Sequence, residues 1–196
     1  MSFYSVYQNI NKLLYNRGYE KHPNHKLSEN ELLQIPKSEL TIRSSIRPDA
    51  KIKNTDIFVF FPDEEKIGIK TLRTYKNDML THSVNNTIIV VKDSITPFAK
   101  QSIQSEIKEP MVIEIFTEPE LYIDISEHSL VPKHELLTKE EKDLVLKKYD
   151  IKEKQLPKIL ISDKISKYYG FKKLDLVKIT RLSETGGYYV YYRLVV

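Results

Sequence analysis

The sequence predicts two domains, an α/β domain over residues 1–125 and a small α+β domain over residues 126–196. In the first, apolar β-branched and aromatic runs typical of buried strands alternate with segments of helical apolar spacing. In the second, short helices precede two strand patterns that a glycine-bearing turn joins. The charge divides as well: residues 1–124 carry 16 Lys/Arg and 17 Asp/Glu, whereas residues 125–196 carry 15 and 10. If the basic balance of the chain marks a partner, that partner is expected near the second domain.

Two helices are predicted to open the first domain. Residues 3–16 place apolar side chains at helical spacing, and Gly18 supplies a C-terminal cap. Ser28, followed by Glu31 three residues later, forms a capping box for a second helix. That helix ends before the polar stretch 36–54, which is expected to form a loop with at most a short helix.

Strands and helices then alternate along the rest of this domain. Residues 56–61 form a buried-strand run, and the alternation over 66–70 predicts a partner strand in a hairpin. The other predicted elements are strands at 87–91, 112–116 and 121–125 and helices at 71–82 and 97–107. Thr96 is the expected N-cap of the last helix and Pro97 its first residue.

The second domain is predicted from capping signals and from one pair of strands. Its elements are a polar junction over 126–135, a helix opened by the capping box of Thr138 and Glu141, a bend over 156–159, a short helix from Asp163 to Gly170, and strands over 176–180 and 188–195. Two glycines within 183–187 permit a tight return between these strands.

Composition excludes several classes of protein. The 196 residues include no cysteine, which excludes a disulfide-stapled domain, a cysteine-based metal site and thiol catalysis. With 40% hydrophobic residues the chain is too apolar to be wholly disordered. No apolar run approaches the roughly 18–20 residues of a membrane span, and the first residues lack signal-peptide features. The sequence therefore predicts a soluble intracellular protein with no membrane partner.

Motifs for metals, cofactors and catalytic nucleophiles are missing from the sequence. The five histidines have no metal-ligand spacing around them; they are His22, His25, His82, His128 and His134. With only five glycines, the chain has no phosphate-binding glycine loop and no nucleophile elbow. We predict no catalytic residue, no metal and no cofactor.

A metal-dependent nuclease is the one catalytic alternative with a motif behind it. Such enzymes place Pro-Asp before an acid-x-Lys on a strand, so that the carboxylates hold Mg²⁺. The pair at 48–49 followed by Glu64 and Lys66 matches this order. The first pair, however, falls in a predicted loop and Glu64 beside a turn. The strand positions Gly68 and Lys70 lack the acid, so the site has too little negative charge for Mg²⁺.

An ordered series of motifs fills the C-terminal part of the chain. The motifs occupy residues 127–134, 137–141, 155–159, 177–179, 181–187 and 192–194. Together they resemble the fifth common subunit of eukaryotic DNA-directed RNA polymerases, a family whose archaeal members resemble only this C-terminal part. Further motifs resemble the jaw domain of the eukaryotic form and occupy residues 58–62, 67–70, 89–91, 96–97 and 99–102.

For the first domain, the resemblance implies a jaw where downstream DNA enters the polymerase, with a nuclease-like but inactive fold. Thr96, Pro97, Phe98, Ala99 and Lys100 match the family loop that approaches the downstream duplex. A helix N-terminus offers N–H groups to phosphate, and Lys100 adds positive charge. The alternative is an ordinary N-capped helix start. Phe98 replaces a small residue common in the family, and it would either wedge or stack against DNA or turn inward.

For the second domain, the resemblance implies an assembly module that packs on the largest subunit. The residues implied at subunit interfaces are Pro132, His134, Arg181, Ser183, Glu184, Thr185, Tyr192 and Arg193. Pro132 and His134 equally suit a rigid turn between domains. The aromatic strand that contains Tyr192 suits either the core or a buried interface.

We therefore predict a non-catalytic RNA polymerase subunit, present in one copy, whose partners are the largest subunit, other core subunits and downstream duplex DNA. The alternatives are a free-standing nuclease or nuclease-like DNA-binding protein and a paralogue that regulates transcription outside the core enzyme. A cellular source implies the nucleus, and a large DNA virus implies host cytoplasm and virion. The bias towards Lys, Ile, Asn and Tyr suits an AT-rich genome of either kind.

Overall fold

Two compact units make up the chain in a computed structural model, Met1–Ile123 and Asp124–Val196. The structure describes residues 2–23, 27–48, 50, 56–64, 66–106, 110–183 and 186–196. Within those ranges, no helix combines the length and the apolar character that crossing a bilayer requires. Both units combine helices with a sheet, which confirms a mixed α/β chain.

The first unit is built on a four-stranded sheet. Its elements in chain order are α1 (Phe3–Asn16), α2 (Glu29–Leu33), a 3-10 helix (Lys37–Glu39), β1 (Thr41–Ser44), β2 (Ile57–Phe60), β3 (Lys66–Ile67), α3 (Ile69–Thr81), β4 (Asn86–Val91), β5 (Ser94–Ile95), α4 (Pro97–Glu106), β6 (Val112–Thr117) and α5 (Glu118–Leu121). The sheet order is β1-β2-β4-β6, with β1 antiparallel to β2 and the other neighbours parallel. All of β2 and most of β4 are buried, as in strands covered on both faces.

Helices α3 and α4 pack on one face of this sheet. Leu72 of α3 and Ala99 of α4 belong to one buried cluster with Ile89 and Val91 of β4. The predicted first helix is confirmed by α1, whose buried stripe is Val6, Tyr7, Ile10, Leu13 and Leu14. Gly18 follows α1 with a φ of 95°. The capping box predicted before α2 is also present.

The predicted hairpin between residues 56–61 and 66–70 is wrong. β3 pairs instead in parallel with β5, so that Lys66 lies opposite Ser94. The physical reason is that β2 already has β1 on one edge and β4 on the other, which leaves no edge for a third strand. β1 lies within the stretch predicted to be a loop. The sequence shows no strand pattern there, because Ile42 is the only strongly apolar residue of β1.

The strand predicted at 121–125 is also wrong. These residues form the end of α5 and the start of a 3-10 helix over Ile125–Glu127. The Thr117 N–H donates to Glu120 Oε2 at 3.0 Å, and the Ser126 N–H donates to Asp124 Oδ1 at 2.9 Å. Acidic side chains therefore bond the backbone locally, where a strand would need a ladder.

A second four-stranded sheet forms the centre of the other unit. After the 3-10 helix its elements are β7 (Lys133–Leu136), α6 (Lys139–Tyr149), a 3-10 helix (Glu153–Gln155), β8 (Lys158–Ile159), α7 (Lys164–Tyr169), β9 (Leu176–Ser183) and β10 (Gly187–Val195). The sheet order is β7-β9-β10-β8, antiparallel except for the pairing of β8 with β10. Two of these strands were not predicted: β7 begins in the predicted polar junction over 126–135, and β8 lies in the predicted bend over 156–159. The predicted capping box of α6 and the end of α7 at Gly170 are confirmed.

Both faces of the second sheet are covered at one end. Leu176 and Leu194 pack with Val145 and Leu146 of α6 on one face. Val177, Ile179 and Val195 pack on the other face with Phe171 and Tyr169, the latter from α7. Because opposite residues of antiparallel strands share a face, this assignment extends along the whole β9–β10 hairpin.

Candidate functional site

Residues 96–100, which the resemblance describes as a loop, are Thr96 directly after β5 and the first turn of α4, which begins at Pro97. The Thr96 hydroxyl accepts a hydrogen bond from the Ala99 N–H at 3.3 Å, which confirms Thr96 as the predicted N-cap. The same hydroxyl donates to the Ile67 carbonyl at 3.2 Å. Thr96 therefore fixes the helix start to β3 as well as to its own first turn.

Side chains of this loop point to opposite sides. Ala99 is fully buried in the core, whereas Phe98 is 75% exposed. Pro97 and Lys100 are exposed as well. Of the two orientations considered for Phe98, the outward one is found, because the adjacent Ala99 occupies the core position.

The amides of the α4 first turn are mostly used within the chain. Pro97 has no N–H, the Ala99 N–H bonds to Thr96 Oγ1, and the Lys100 N–H bonds to the Thr96 carbonyl at 3.0 Å. In the described first turn this leaves the Phe98 N–H as the amide for a phosphate oxygen. A phosphate here would depend more on the Lys100 charge than on the helix terminus.

Lys66 is a basic residue near the loop that sequence reasoning did not place there. The β3–β5 register puts Lys66 opposite Ser94, two residues before Thr96, and its side chain is exposed. Lys66 comes near the loop through the parallel pairing of β3 with β5, which are distant in sequence. Local sequence patterns do not reveal such a pairing.

Glu64 of the nuclease alternative lines an open cleft of about 530 Å³ in the first unit, together with Asp63 and Asp78. Thr71 Oγ1 donates to Glu64 Oε1 at 3.0 Å, and Phe60 stacks on Tyr75 with ring centroids 4.2 Å apart. Burial, followed by the charges of Glu64, Asp78 and Asp63, raises the pKa of Tyr75 to about 12. Asp49 lies outside the described residues. Among those that are described, no three His, Asp or Glu side chains group to hold a metal.

His134 lies in β7, opposite Ile179 of β9. Its Nδ1 is 2.7 Å from the Pro132 carbonyl, so this nitrogen carries the proton and donates. Burial lowers the pKa of His134; the Pro132 hydrogen bond and Asp163 oppose that change, and the Arg193 charge adds to it. The ring is 6.3 Å from the Tyr169 ring. His134 is thus part of the folded sheet, and the carbonyl of Pro132, directly before β7, accepts its ring N–H, in addition to any contact with a partner.

Acidification is expected to destabilise the second unit through His134. The unfolded chain takes up a proton near the ordinary pKa of 6.5, whereas the folded chain resists it, so unfolding becomes easier as the pH falls through that value. Urea unfolding of the wild type and of His134→Gln between pH 7.5 and pH 5 would measure this effect. We expect a weaker pH dependence in the variant, and equal slopes would contradict the assignment to His134.

Four of the candidate interface residues share one face of the second sheet. His134 lies opposite Ile179, and Arg181, Ser183 and Arg193 belong to the same face by the β9–β10 register. Arg193 Cζ lies 5.7 Å from the centre of the Tyr191 ring. Tyr192 is on the opposite face, with its ring 6.0 Å from that of Tyr149. Glu184 and Thr185 lie outside the described residues.

The outer half of the β9–β10 hairpin exposes large apolar side chains. Leu182 and Tyr188 lie directly opposite each other and are 70% and 78% exposed. Val190 is exposed on the same face and Tyr189 on the opposite one. An exposed apolar pair on a two-stranded projection is typical of an interaction surface. In the sequence, the aromatic run 188–192 indicates this surface. Which half of the hairpin is covered and which is open depends on where α6 and α7 pack, and the sequence does not show that.

Comparisons with known proteins find matches over most of the chain. Residues 123–195 match the family model for the RNA polymerase Rpb5 C-terminal domain. Over 141 residues the chain is 48% identical to the Dictyostelium discoideum protein named DNA-directed RNA polymerases I, II, and III subunit rpabc1, covering 71% of this chain and 72% of that relative. The chain belongs to the Rpb5 family.

Two further Rpb5-family relatives come from Caenorhabditis elegans and Caenorhabditis briggsae. Both are named DNA-directed RNA polymerases I, II, and III subunit RPABC1 and are 42% identical over 160 residues, 82% of this chain and 74% of each relative. The matched C-terminal domain contains the whole β9–β10 hairpin, and the exposed pair Leu182 and Tyr188 lies within it.

Proposed function

We propose that the chain is a non-catalytic subunit of a DNA-directed RNA polymerase and supports transcription. The observation that carries this proposal is the identity of 48% to a relative named as a subunit of polymerases I, II and III, over 72% of its length. The proposed partners are the largest subunit, other core subunits and downstream duplex DNA, with one copy in each polymerase. A cellular source would place the protein in the nucleus, and a viral source in the host cytoplasm and virion.

The first unit is proposed to be the jaw, with an inactive nuclease-like fold. Its contact with DNA would be local, because residues 1–124 carry one more acidic than basic residue. The outward Phe98 and Lys100, the exposed Lys66 opposite Ser94 and the fixed start of α4 support a contact at this loop. Lysine contacts of this kind bind the phosphate backbone without reading sequence.

Lys100→Glu is expected to weaken retention of downstream DNA without reducing assembly. Each lysine–phosphate contact contributes roughly one unit to the slope of log binding constant against log salt concentration. Replacing the lysine by glutamate removes this contact and adds repulsion from the phosphate. Polymerase purified through a tagged chain would be assayed for large subunits and for salt-dependent retention of a downstream duplex. We expect the large subunits to be present in both samples and DNA retention to fall in the variant.

A matched control makes the same charge change in the other unit. Lys154 is exposed in the 3-10 helix over Glu153–Gln155, and Lys154→Glu is expected to leave DNA retention unchanged. Equal loss of large subunits and DNA in Lys100→Glu would show that the loop is structural. Absence of large subunits from the wild-type purification would contradict the proposed function itself.

The second unit is proposed to anchor the chain to the largest subunit. The projecting half of the β9–β10 hairpin supports this role, because Leu182 and Tyr188 are exposed in the isolated chain and would be buried by a partner. Arg181, across from Tyr189 on the opposite face of the hairpin, is also exposed and would add a charged contact there. The roles of Pro132, His134, Ser183, Glu184, Thr185, Tyr192 and Arg193 remain proposals from the family resemblance.

A further inference from the structure

Three exposed aliphatic side chains lie at the end of the second sheet away from the hairpin turn. Leu160, Ile161 and Leu174, here called the aliphatic patch, are 62%, 50% and 56% exposed. The Leu174 N–H donates to the Val195 carbonyl, and the Ile161 N–H donates to the Val196 carbonyl, both at 2.9 Å. These two bonds attach the segments before and after α7 to the end of β10, Ile161 on its β8 edge and Leu174 on its β9 edge.

Leu174 has an unusual backbone conformation. It lies third in a four-residue turn closed by the Asp175 N–H and the Lys172 carbonyl at 3.1 Å, and its φ is 73°. Turns with a positive φ at the third position favour glycine, because a side chain there crowds the backbone. The other described non-glycine residues with positive φ are Ser83 and Asp150, which follow helix ends where this conformation is common.

Hydrogen bonds hold Leu174 in this conformation. Besides its N–H bond to Val195, its carbonyl accepts from Lys142 Nζ at 2.9 Å, and Lys142 is also 2.8 Å from Glu153 Oε1. A glycine would make the same backbone bonds without crowding. The Leu174 side chain therefore strains the backbone, and because it is exposed it adds little to the core of the isolated chain. A strained residue without a role in the core points to a function.

We propose that the aliphatic patch binds an acidic segment of another polymerase subunit, which places an apolar side chain against Leu174. This inference rests on the proposed function, and it assigns a second subunit contact at the end of the sheet away from Leu182 and Tyr188. Burial on the partner would supply the favourable contact that the exposed leucine lacks in the isolated chain.

Charge around the aliphatic patch favours an acidic partner. Lys173 directly precedes Leu174, Lys164 follows Ile161 by three residues, and both lysines are exposed. The nearby acids are engaged locally: Asp163 Oδ1 accepts from the Ile165 N–H at 2.9 Å, and Asp175 Oδ2 from the Lys172 N–H at 2.7 Å. Both carboxylates keep their negative charge and offset part of the lysine charge, but residues 125–196 have five more basic than acidic residues, and this net positive charge favours an acidic partner.

Leu174→Gly separates binding from folding. Tagged full-length variant and untagged wild type would be expressed together, and their ratio in purified polymerase would be compared with their ratio in the lysate. We expect incorporation to fall roughly tenfold, since a buried leucine contact is lost. The urea midpoint of the free variant is expected to stay equal or to rise, because the crowding at the positive φ is relieved.

Further variants keep the inference falsifiable. Ile161→Ser is expected to lower incorporation while leaving the turn intact, and Lys173→Glu to lower it more strongly at low salt. Leu144→Ala, which removes an exposed leucine from α6, serves as the matched control with normal incorporation.

The contrary outcomes are distinct. Wild-type incorporation of Leu174→Gly would overturn the inference, and so would indifference to Lys173→Glu, since the partner would then not be acidic. A concentration-dependent dimer that Leu174→Gly abolishes would assign the patch to a second copy of the chain and overturn it too. Failure of the wild type itself to enter polymerase would reject the proposed function instead.

Discussion

Incorporation into polymerase is expected to fall roughly 100-fold when Leu182 and Tyr188 are both replaced by serine. Each side chain would contribute about 1.5 kcal/mol when a partner buries it, and together the losses approach two powers of ten. Because both are exposed and opposite each other at the open half of the hairpin, the free chain should lose less than about 0.5 kcal/mol for each. The measurement is competition between tagged variant and untagged wild type in purified polymerase.

Leu144→Gln provides the control for this experiment, since it also removes an exposed leucine of the second unit but keeps a good helix former in α6. Normal incorporation of the serine double variant would rule out the hairpin as the main contact. Deleting residues 181–196 is a less informative test. That deletion removes Leu194 and Val195 from the core, so release would follow from unfolding alone.

Local hydrogen-bond patterns made the helix starts predictable. The capping boxes before α2 and α6 and the Thr96 cap each join residues only three positions apart, so the sequence contains both partners of every bond. Gly170 similarly ends α7 because its left-handed conformation costs glycine little.

Strand partners could not be predicted in the same way. The pattern at Lys66 and Ile67 fits a hairpin or a parallel pair equally well, and the choice depends on which edges of β2 are already occupied. The two-residue strand β8 has no periodicity of its own and exists because β10 presents a free edge. The partners of β3 and β8 therefore depend on contacts between distant segments, which local sequence patterns do not determine.

The candidate site shows the same limit. The resemblance supplied the loop 96–100 and the hairpin residues, but the orientation of Phe98 follows from the burial of Ala99 in a cluster formed with other segments of the first unit. The backbone strain at Leu174 was likewise outside sequence reasoning, because leucine in a Lys-Lys-Leu-Asp stretch carries no turn signal.

Arg17→Met is expected to lower the free energy of unfolding of the first unit by about 2–4 kcal/mol, because it leaves a partly buried carboxylate without its partner. Arg17 follows α1 and makes a two-point contact with Glu114 of β6, at 3.0 Å to Oε1 and 2.6 Å to Oε2. The arginine side chain is 5% exposed and the glutamate 29%. The pair thereby joins the end of α1 to the outer strand of the sheet.

Replacing both partners should restore most of this loss. In Arg17→Met with Glu114→Met, apolar side chains of similar length fill the site and no charge stays unpaired, so we expect unfolding within about 1 kcal/mol of the wild type. Urea unfolding of the full chain, fitted with separate transitions for the two units, would measure the cycle. The pair Arg43 and Asp56, 3.2 Å apart and much more exposed, is the control, with an expected coupling under about 1 kcal/mol. A double variant as unstable as Arg17→Met alone would show that the packing of the arginine stem, and not the buried charge, stabilises the junction between α1 and β6.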